Sequence, residues 1–150
     1  VIIKALRDHN FNPKDIIINI PTSTLVSSAN KIVYSRSNKE TPIDLNELDY
    51  IIAKAEKKAL EDAKREITKK TGYLEVDMKL ITSSITSIKI DNFQVSNPIG
   101  FTGENVVLST LNIFIPSSRY NLIQMIGNYL GKNILSIIPL EFSLPKLLES

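Results

Sequence analysis

The residues able to do chemistry in this chain are few, and their spacing does not assemble them. His9 is the single histidine and there is no cysteine. No imidazole pair or thiolate set can therefore hold zinc, no thiol can act as a nucleophile, and no disulfide scaffold is possible. A histidine-centred triad would have to be built around His9 alone. Placed before the Asn12-Pro13 break, His9 reads instead as a solvated helix-end residue, where a cation is mildly favourable. Asp77 and Asp91, with Asp44, Asp49 and Asp62, offer carboxylates for acid–base work or a hard cation. Their spacing matches no metal loop and no paired-carboxylate arrangement. Capping or solvation of a helix is the reading for Asp44, Asp49 and Asp62.

Phosphate recognition fares no better. Neither GxxxxGK[ST] nor GxGxxG occurs, and the one short glycine pair is Gly100-Phe101-Thr102-Gly103. That spacing is also the GxxG of a KH module, which clamps a nucleic-acid backbone. A KH loop lies between helices and carries basic residues, whereas this one lies between strand-like segments and holds Phe101 and Thr102. The lysines of 54–70 alternate with acids, the pattern of a solvated helix face rather than a phosphate track. With 18 basic and 16 acidic residues and a net charge of +2, no nucleic-acid partner is expected.

What remains is "NPIGFTGENV", residues 97–106, with Pro98, Gly100 and Gly103 in one connection. A plain hairpin needs two residues, so this longer loop needs its own reason. Phe93, Ile99 and Phe101 cluster near it. Either they cap the end of a sheet, or they form a docking patch, since apolar side chains at a loop edge are what a partner buries. The candidate partner-binding set is Phe93, Asn97, Pro98, Ile99, Gly100, Phe101, Thr102 and Gly103; no catalytic, metal or cofactor-binding residue is assigned.

These residues need elements to position them. "VIIKALRDHN" fits the last turns of a helix, and "DIIINI" reads as a strand covered on both faces, closed by Pro21. "LVSSANKIVYSR" holds a second strand around Ile32, Val33 and Tyr34. Leu45, Leu48, Ile52, Ala55, Ala59, Ala63 and Ile67 then recur at helical spacing, predicting one helix of roughly 40 Å over 44–71. Asp44 and Glu47 form a reciprocal capping box, and Gly72 supplies the left-handed stop. Glu61 with Arg65, and Glu66 with Lys70, are spaced to pair.

"YLEVDMKLITSSITSIKID" predicts a long strand with Val76, Met78 and Leu80 on one face and a bulge near Thr82 to Ser84. "VVLSTLNIFIP" is its antiparallel partner, with Val107, Leu111, Ile113 and Ile115 on one face. "SSRYNLIQMIGNYLGK" is a second amphipathic helix through Leu122, Met125, Ile126, Tyr129 and Leu130, capped by Ser117 or Ser118 and stopped at Gly131. "NILSIIPLEF" is a further strand, with a helix start near Pro145. The fold class is α+β, an antiparallel sheet with two main helices.

The 150 residues, 43% hydrophobic and 23% charged, suit one ordinary domain with its own core. No stretch reaches the roughly 18 to 20 apolar residues that cross a bilayer, and the start has neither the basic leader nor the apolar run of a secretory signal. Cytosol is the expected compartment. A start at Val1, already helical in pattern, suggests a piece of a longer protein.

Taken in order, "KDIIINIPTS", "PIDLNELDYIIAKA", "IKIDNFQVSNPIGFTGENVVLSTLNIFIP", "RYNLIQMIGNYLG" and "ILSIIPLEF" resemble the cell-division actin-like ATPase FtsA. In that family an acidic-Gly turn precedes a Pro-x-Gly-Met-x-Gly loop, a strand, a helix and a strand ending in Glu-Pro-Leu. Here Asn92 stands for the glycine, Phe101 for the methionine, and Ile138-Pro139-Leu140 follows the last motif in part. The charged stretch from Glu56 to Lys70 looks longer than the family's helix. The resemblance implies a strand-helix-strand-strand interaction subdomain over 30–138, flanked by core segments at 1–29 and 139–150. It implies contacts with copies of itself or with other division proteins, at the cytoplasmic face of a membrane reached through parts absent here. ATP and Mg²⁺ are implied for the family, but its phosphate-binding turns have no match in this chain, so no cofactor and no catalysis are expected of it alone. The pilus protein PilM carries a similar module, which implies the alternative of binding a peptide of a membrane partner. A small-molecule or RNA binder on the same fold is a third reading.

Overall fold

The computed structural model describes residues 12–72 and 76–140. The expected helix end with His9 and the expected helix start near Pro145 lie outside the described residues. In chain order the elements are β1 (Asp15–Ile20), a single 3-10 turn (Thr22–Thr24), β2 (Val26–Ser35), α1 (Leu45–Thr71), β3 (Met78–Ile90), β4 (Phe93–Val95), β5 (Asn105–Pro116), α2 (Ser117–Tyr129) and β6 (Asn133–Pro139). The described residues form two compact units: Leu25–Pro116, and 12–24 together with 117–140. The second helix and β6 thus group with β1, and one unit is inserted in the chain between β1 and α2.

In the inserted unit the strand order is β2-β5-β3-β4, with every neighbouring pair antiparallel. The expected pairing of β3 with β5 is present, with register shifts at Leu80/Thr82 and Ile85/Ser87 on either side of the expected bulge. Since β2 and β3 both run against β5, they run parallel to each other. A parallel pair requires a crossover, and α1 supplies it.

The start and stop of α1 are set locally. Asp44 is extended and its carboxylate accepts the Glu47 N–H at 2.7 Å. Gly72 has φ 74 and donates its N–H to Thr68 O at 2.8 Å, the left-handed stop that a Cβ would disfavour. Only half of the expected capping box forms, because both Glu47 oxygens bond Arg36 instead. Lys70 pairs with Glu66, while Arg65 lies toward Asp62 at 3.6 Å rather than Glu61.

Ile51, Ala55, Ala59 and Ala63 are the buried stripe of α1, and three alanines let the helix approach the sheet closely. Beneath it the core falls into two clusters. Ile51 and Ala55 pack with Ile32, Ile43, Ile88, Ile90, Val106 and Leu108; Ala59 and Ala63 pack with Val26, Met78 and Phe114. Between them, on the same face of the sheet, sit buried Ser28, Asn30, Thr110 and Asn112. Their polar atoms are paired: Ser28 Oγ donates to Asn30 Oδ1, Asn30 Nδ2 to Asp62, Asn112 Nδ2 to Thr110 Oγ1, and Ser83 Oγ to Asn112 Oδ1. A buried polar group without such a bond would cost about 1–3 kcal/mol.

The helix-facing side of β5 is Val106, Leu108, Thr110, Asn112 and Phe114, while the expected set of Val107, Leu111, Ile113 and Ile115 shares the opposite face, where Ile113 and Ile115 are buried too. Apolar residues occupy both faces of this strand, so its own alternation could not select the side that α1 covers. β1 is not covered on both faces, because it alternates and leaves Ile17 57% exposed. It pairs in parallel with β6 in a two-stranded sheet. Finally, the apolar stripe of α2 points outward: Leu122, Met125, Ile126, Tyr129 and Leu130 are all exposed. Its packed side carries Tyr120, Ile123, Gln124 and buried Gly127. A Cβ on Gly127 would fall 2.7 Å from Ile134 Cδ1; that close approach to β6 fixes the rotation of the helix.

Candidate functional site

The loop between β4 and β5 is built as a fixed surface. A two-residue hairpin turn from β3 to β4 precedes it, where Ile90 pairs with Phe93 and both Asp91 (φ 45) and Asn92 (φ 75) have positive φ. This is the backbone of a type I′ turn, which suits the twist of antiparallel strands; Asn tolerates the left-handed region better than most side chains. The turn leaves Phe93 77% exposed at the head of β4.

Asn97 Oδ1 accepts the Ile99 N–H at 3.1 Å, and Pro98 O accepts the Phe101 N–H at 3.1 Å. Gly100 is the third residue of that turn with φ 86, the sign a type II turn demands there. Ile43 then docks the loop from the far side. Its N–H donates to Phe101 O and its C=O accepts from Gly100, both at 2.9 Å. Gly103 donates to Lys39 O at 3.0 Å. A Cβ at Gly103 would collide with Ile90 Cγ2 and lie 2.8 Å from Asp91 Oδ2, so this glycine is required by space.

Two charged side chains hold the loop's exit. The Asp91 carboxylate accepts the N–H groups of Asn105 at 2.8 Å and Glu104 at 3.0 Å. The Asn105 bond first, then that of Glu104, holds the Asp91 pKa below its ordinary value, because both stabilise the anion. Arg36, immediately after β2, is buried. Its guanidinium bonds Glu47 through two parallel contacts of 2.8 Å, Thr41 O at 2.8 Å and Gly103 O at 3.1 Å. Its pKa is raised chiefly by the bond to Glu47.

Of the candidate set, Phe93, Ile99 and Phe101 are the large exposed apolar residues, Phe101 at 50%. Asn97, Gly100 and Thr102 are also exposed, Gly103 is half-buried and Pro98 is buried. The loop therefore presents side chains from a backbone tied at 39, 43 and 103–105. Arg36 and Ile43, which do much of the tying, were not distinguished by the sequence: a lone arginine in "YSRSNKE" reads as a surface residue. The acids do not converge. Asp44 caps α1, Asp62 bonds Asn30, Asp91 pins the loop, and among the described residues no group of three or more His, Cys, Asp or Glu could hold a metal ion. Among those residues no helix is long and apolar enough to cross a membrane.

Among the described residues, fold and site together define an α+β protein with an antiparallel sheet, a parallel pair of strands, two helices and a loop held by backbone hydrogen bonds. No protein-family model matches the chain, and no curated protein matches it.

Proposed function

We propose that the inserted unit is a protein-interaction module of an FtsA-like division ATPase, which meets copies of itself or other division proteins through the loop 97–103. Such a module does no chemistry alone, and ATP with Mg²⁺ belongs to other subdomains of that family. The observation that carries the reading is connectivity. A strand-helix-strand-strand unit, with the short β4 added, enters after β1 and leaves into α2 and β6, and β6 returns parallel to β1. The support at the site is that Ile99 and Phe101 stand exposed on a loop whose backbone is already bonded. Little ordering entropy then opposes docking, which favours binding at a given contact area.

The test is sedimentation of the 150-residue chain against concentration, with Phe101→Ala beside it. The expected result is concentration-dependent association that the variant loses while its unfolding midpoint stays put. Association unchanged by the variant would remove the loop from the interface. Titration calorimetry with ATP should give no heat of binding, and a micromolar complex would overturn the assignment of nucleotide to other subdomains.

A further inference from the structure

A second surface, separate from the loop, lies along the free edge of β2. β2 is the end strand of its sheet. The Arg36 N–H donates to Glu104 O at 2.8 Å, continuing the register of Ser35 with Asn105. Opposed residues of an antiparallel ladder alternate between bonded and non-bonded pairs. With Arg36 in a bonded pair, the N–H and C=O groups of Ser27, Ala29, Lys31, Val33 and Ser35 point away from β5. All five of these residues are exposed. Lys31 O on this edge already accepts from Lys58 Nζ, but no strand of the sheet pairs with it, and an edge of this length is a template for another strand.

The wall above that edge is the flank of α1. Tyr50, Lys54, Lys58 and Asp62 follow one another at four-residue intervals, and each reaches β2. The Tyr50 ring meets Tyr34 edge-on at 5.8 Å, Lys54 Nζ lies 5.5 Å from the Tyr34 ring centre, and Lys58 Nζ donates to Lys31 O at 3.3 Å. Asp62 is engaged by Asn30 and lies near Arg65. Neither Lys54 nor Lys58 has a carboxylate within ion-pair distance among the described residues. The edge therefore carries outward backbone donors and acceptors beside two cations that no acid of this unit neutralises.

Spacing selects the partner. Four residues of helix rise about 6.0 Å, and two residues of strand advance about 6.7 Å. Acidic side chains at alternate positions of an added strand would then face Lys54 and Lys58 in turn. We propose that the β2 edge binds an extended acidic segment of a partner protein, with carboxylates at i and i+2, as an added strand.

The probe is a capped peptide of about nine residues alternating valine and glutamate, long enough to span most of the edge at about 3.4 Å per residue. It is titrated into the ¹⁵N-labelled full chain. Saturable binding is expected, with Ala29, Lys31 and Val33 amides shifting and gaining protection from exchange. Ala29→Pro deletes one outward donor without touching the β5 ladder and should abolish binding. Lys54→Glu with Lys58→Glu should weaken it roughly tenfold or more, from two lost rim charges. Lys69→Glu with Lys79→Glu, the same change in net charge elsewhere, should leave it within about twofold. The proposal fails if the peptide does not bind at about 1 mM, if Ala29→Pro binds as well as the parent, or if shifts centre on 97–103. It also fails if a lysine-for-glutamate peptide binds equally, or if β2 is protected in a dimer before any peptide is added. Because the readout is the β2 amides, its outcome is separate from the Phe101→Ala test of the loop.

Discussion

Arg36 and Glu47 face one another through two parallel hydrogen bonds of 2.8 Å, with the Arg36 side chain 1% exposed and that of Glu47 23%. One pair thus couples the end of β2 to the first turn of α1, and the remaining guanidinium donors reach Thr41 O and Gly103 O. Arg36→Ala would leave a half-buried carboxylate and two backbone carbonyls without their donor. A loss of about 3–5 kcal/mol is expected, read from urea unfolding, with faster amide exchange at Gly103. Arg36→Lys should recover little, since an ammonium cannot reproduce the two-pronged contact.

The two loop glycines should differ in cost. Gly100 has open space around it but a φ of 86, so Gly100→Ala costs about 1–2 kcal/mol from backbone strain alone. Gly103→Ala adds a collision with Ile90 and Asp91, and overpacking costs about 1–3 kcal/mol further. Unfolding midpoints of the two variants, measured side by side, check the order.

Asp91 gives the loop a pH dependence. Its folded pKa lies below the ordinary 3.8, so its contribution is complete above that value and disappears as pH falls through the folded one. Asp91→Asn should flatten the acid limb of the stability curve below about pH 4 while leaving the curve's shape near neutrality unchanged. An acid limb as steep in the variant as in the parent would assign the effect to other carboxylates.

The polar band beneath α1 predicts a different kind of loss. Asn112 is fully buried and accepts from Ser83 while donating to Thr110. Asn112→Ala leaves both hydroxyls short of a partner, and a penalty of about 1–3 kcal/mol is expected in urea unfolding.

Close approach of α1 to the sheet is tested at Ala59, which is 0% exposed. Ala59→Leu should cost about 1–3 kcal/mol by overpacking, whereas exposed Lys57→Ala should stay within about 0.5 kcal/mol. Equal effects at the two sites would mean that the helix does not sit where the alanine stripe places it.

The sequence by itself determined the features whose causes are local. A carboxylate at Asp44 and a glycine at 72 suffice to start and stop α1, because each acts on amides or carbonyls within one turn. The antiparallel pairing of β3 with β5 was legible from two long β-favouring runs, and the loop's need for turn formers from its glycines. Tertiary structure decided which faces are inside. On β5 both alternations are apolar; α1 crosses the side of Val106 to Phe114, which brought Thr110 and Asn112 in with it, while Ile113 and Ile115 of the other alternation are buried as well. On α2 the more apolar stripe stayed outside because Gly127 let the opposite face come closest to Ile134. Arg36 became the anchor of the candidate site through partners 5, 11 and 67 residues away. No local pattern specifies contacts at those separations; folding alone brings the carboxylate and the two carbonyls to one guanidinium.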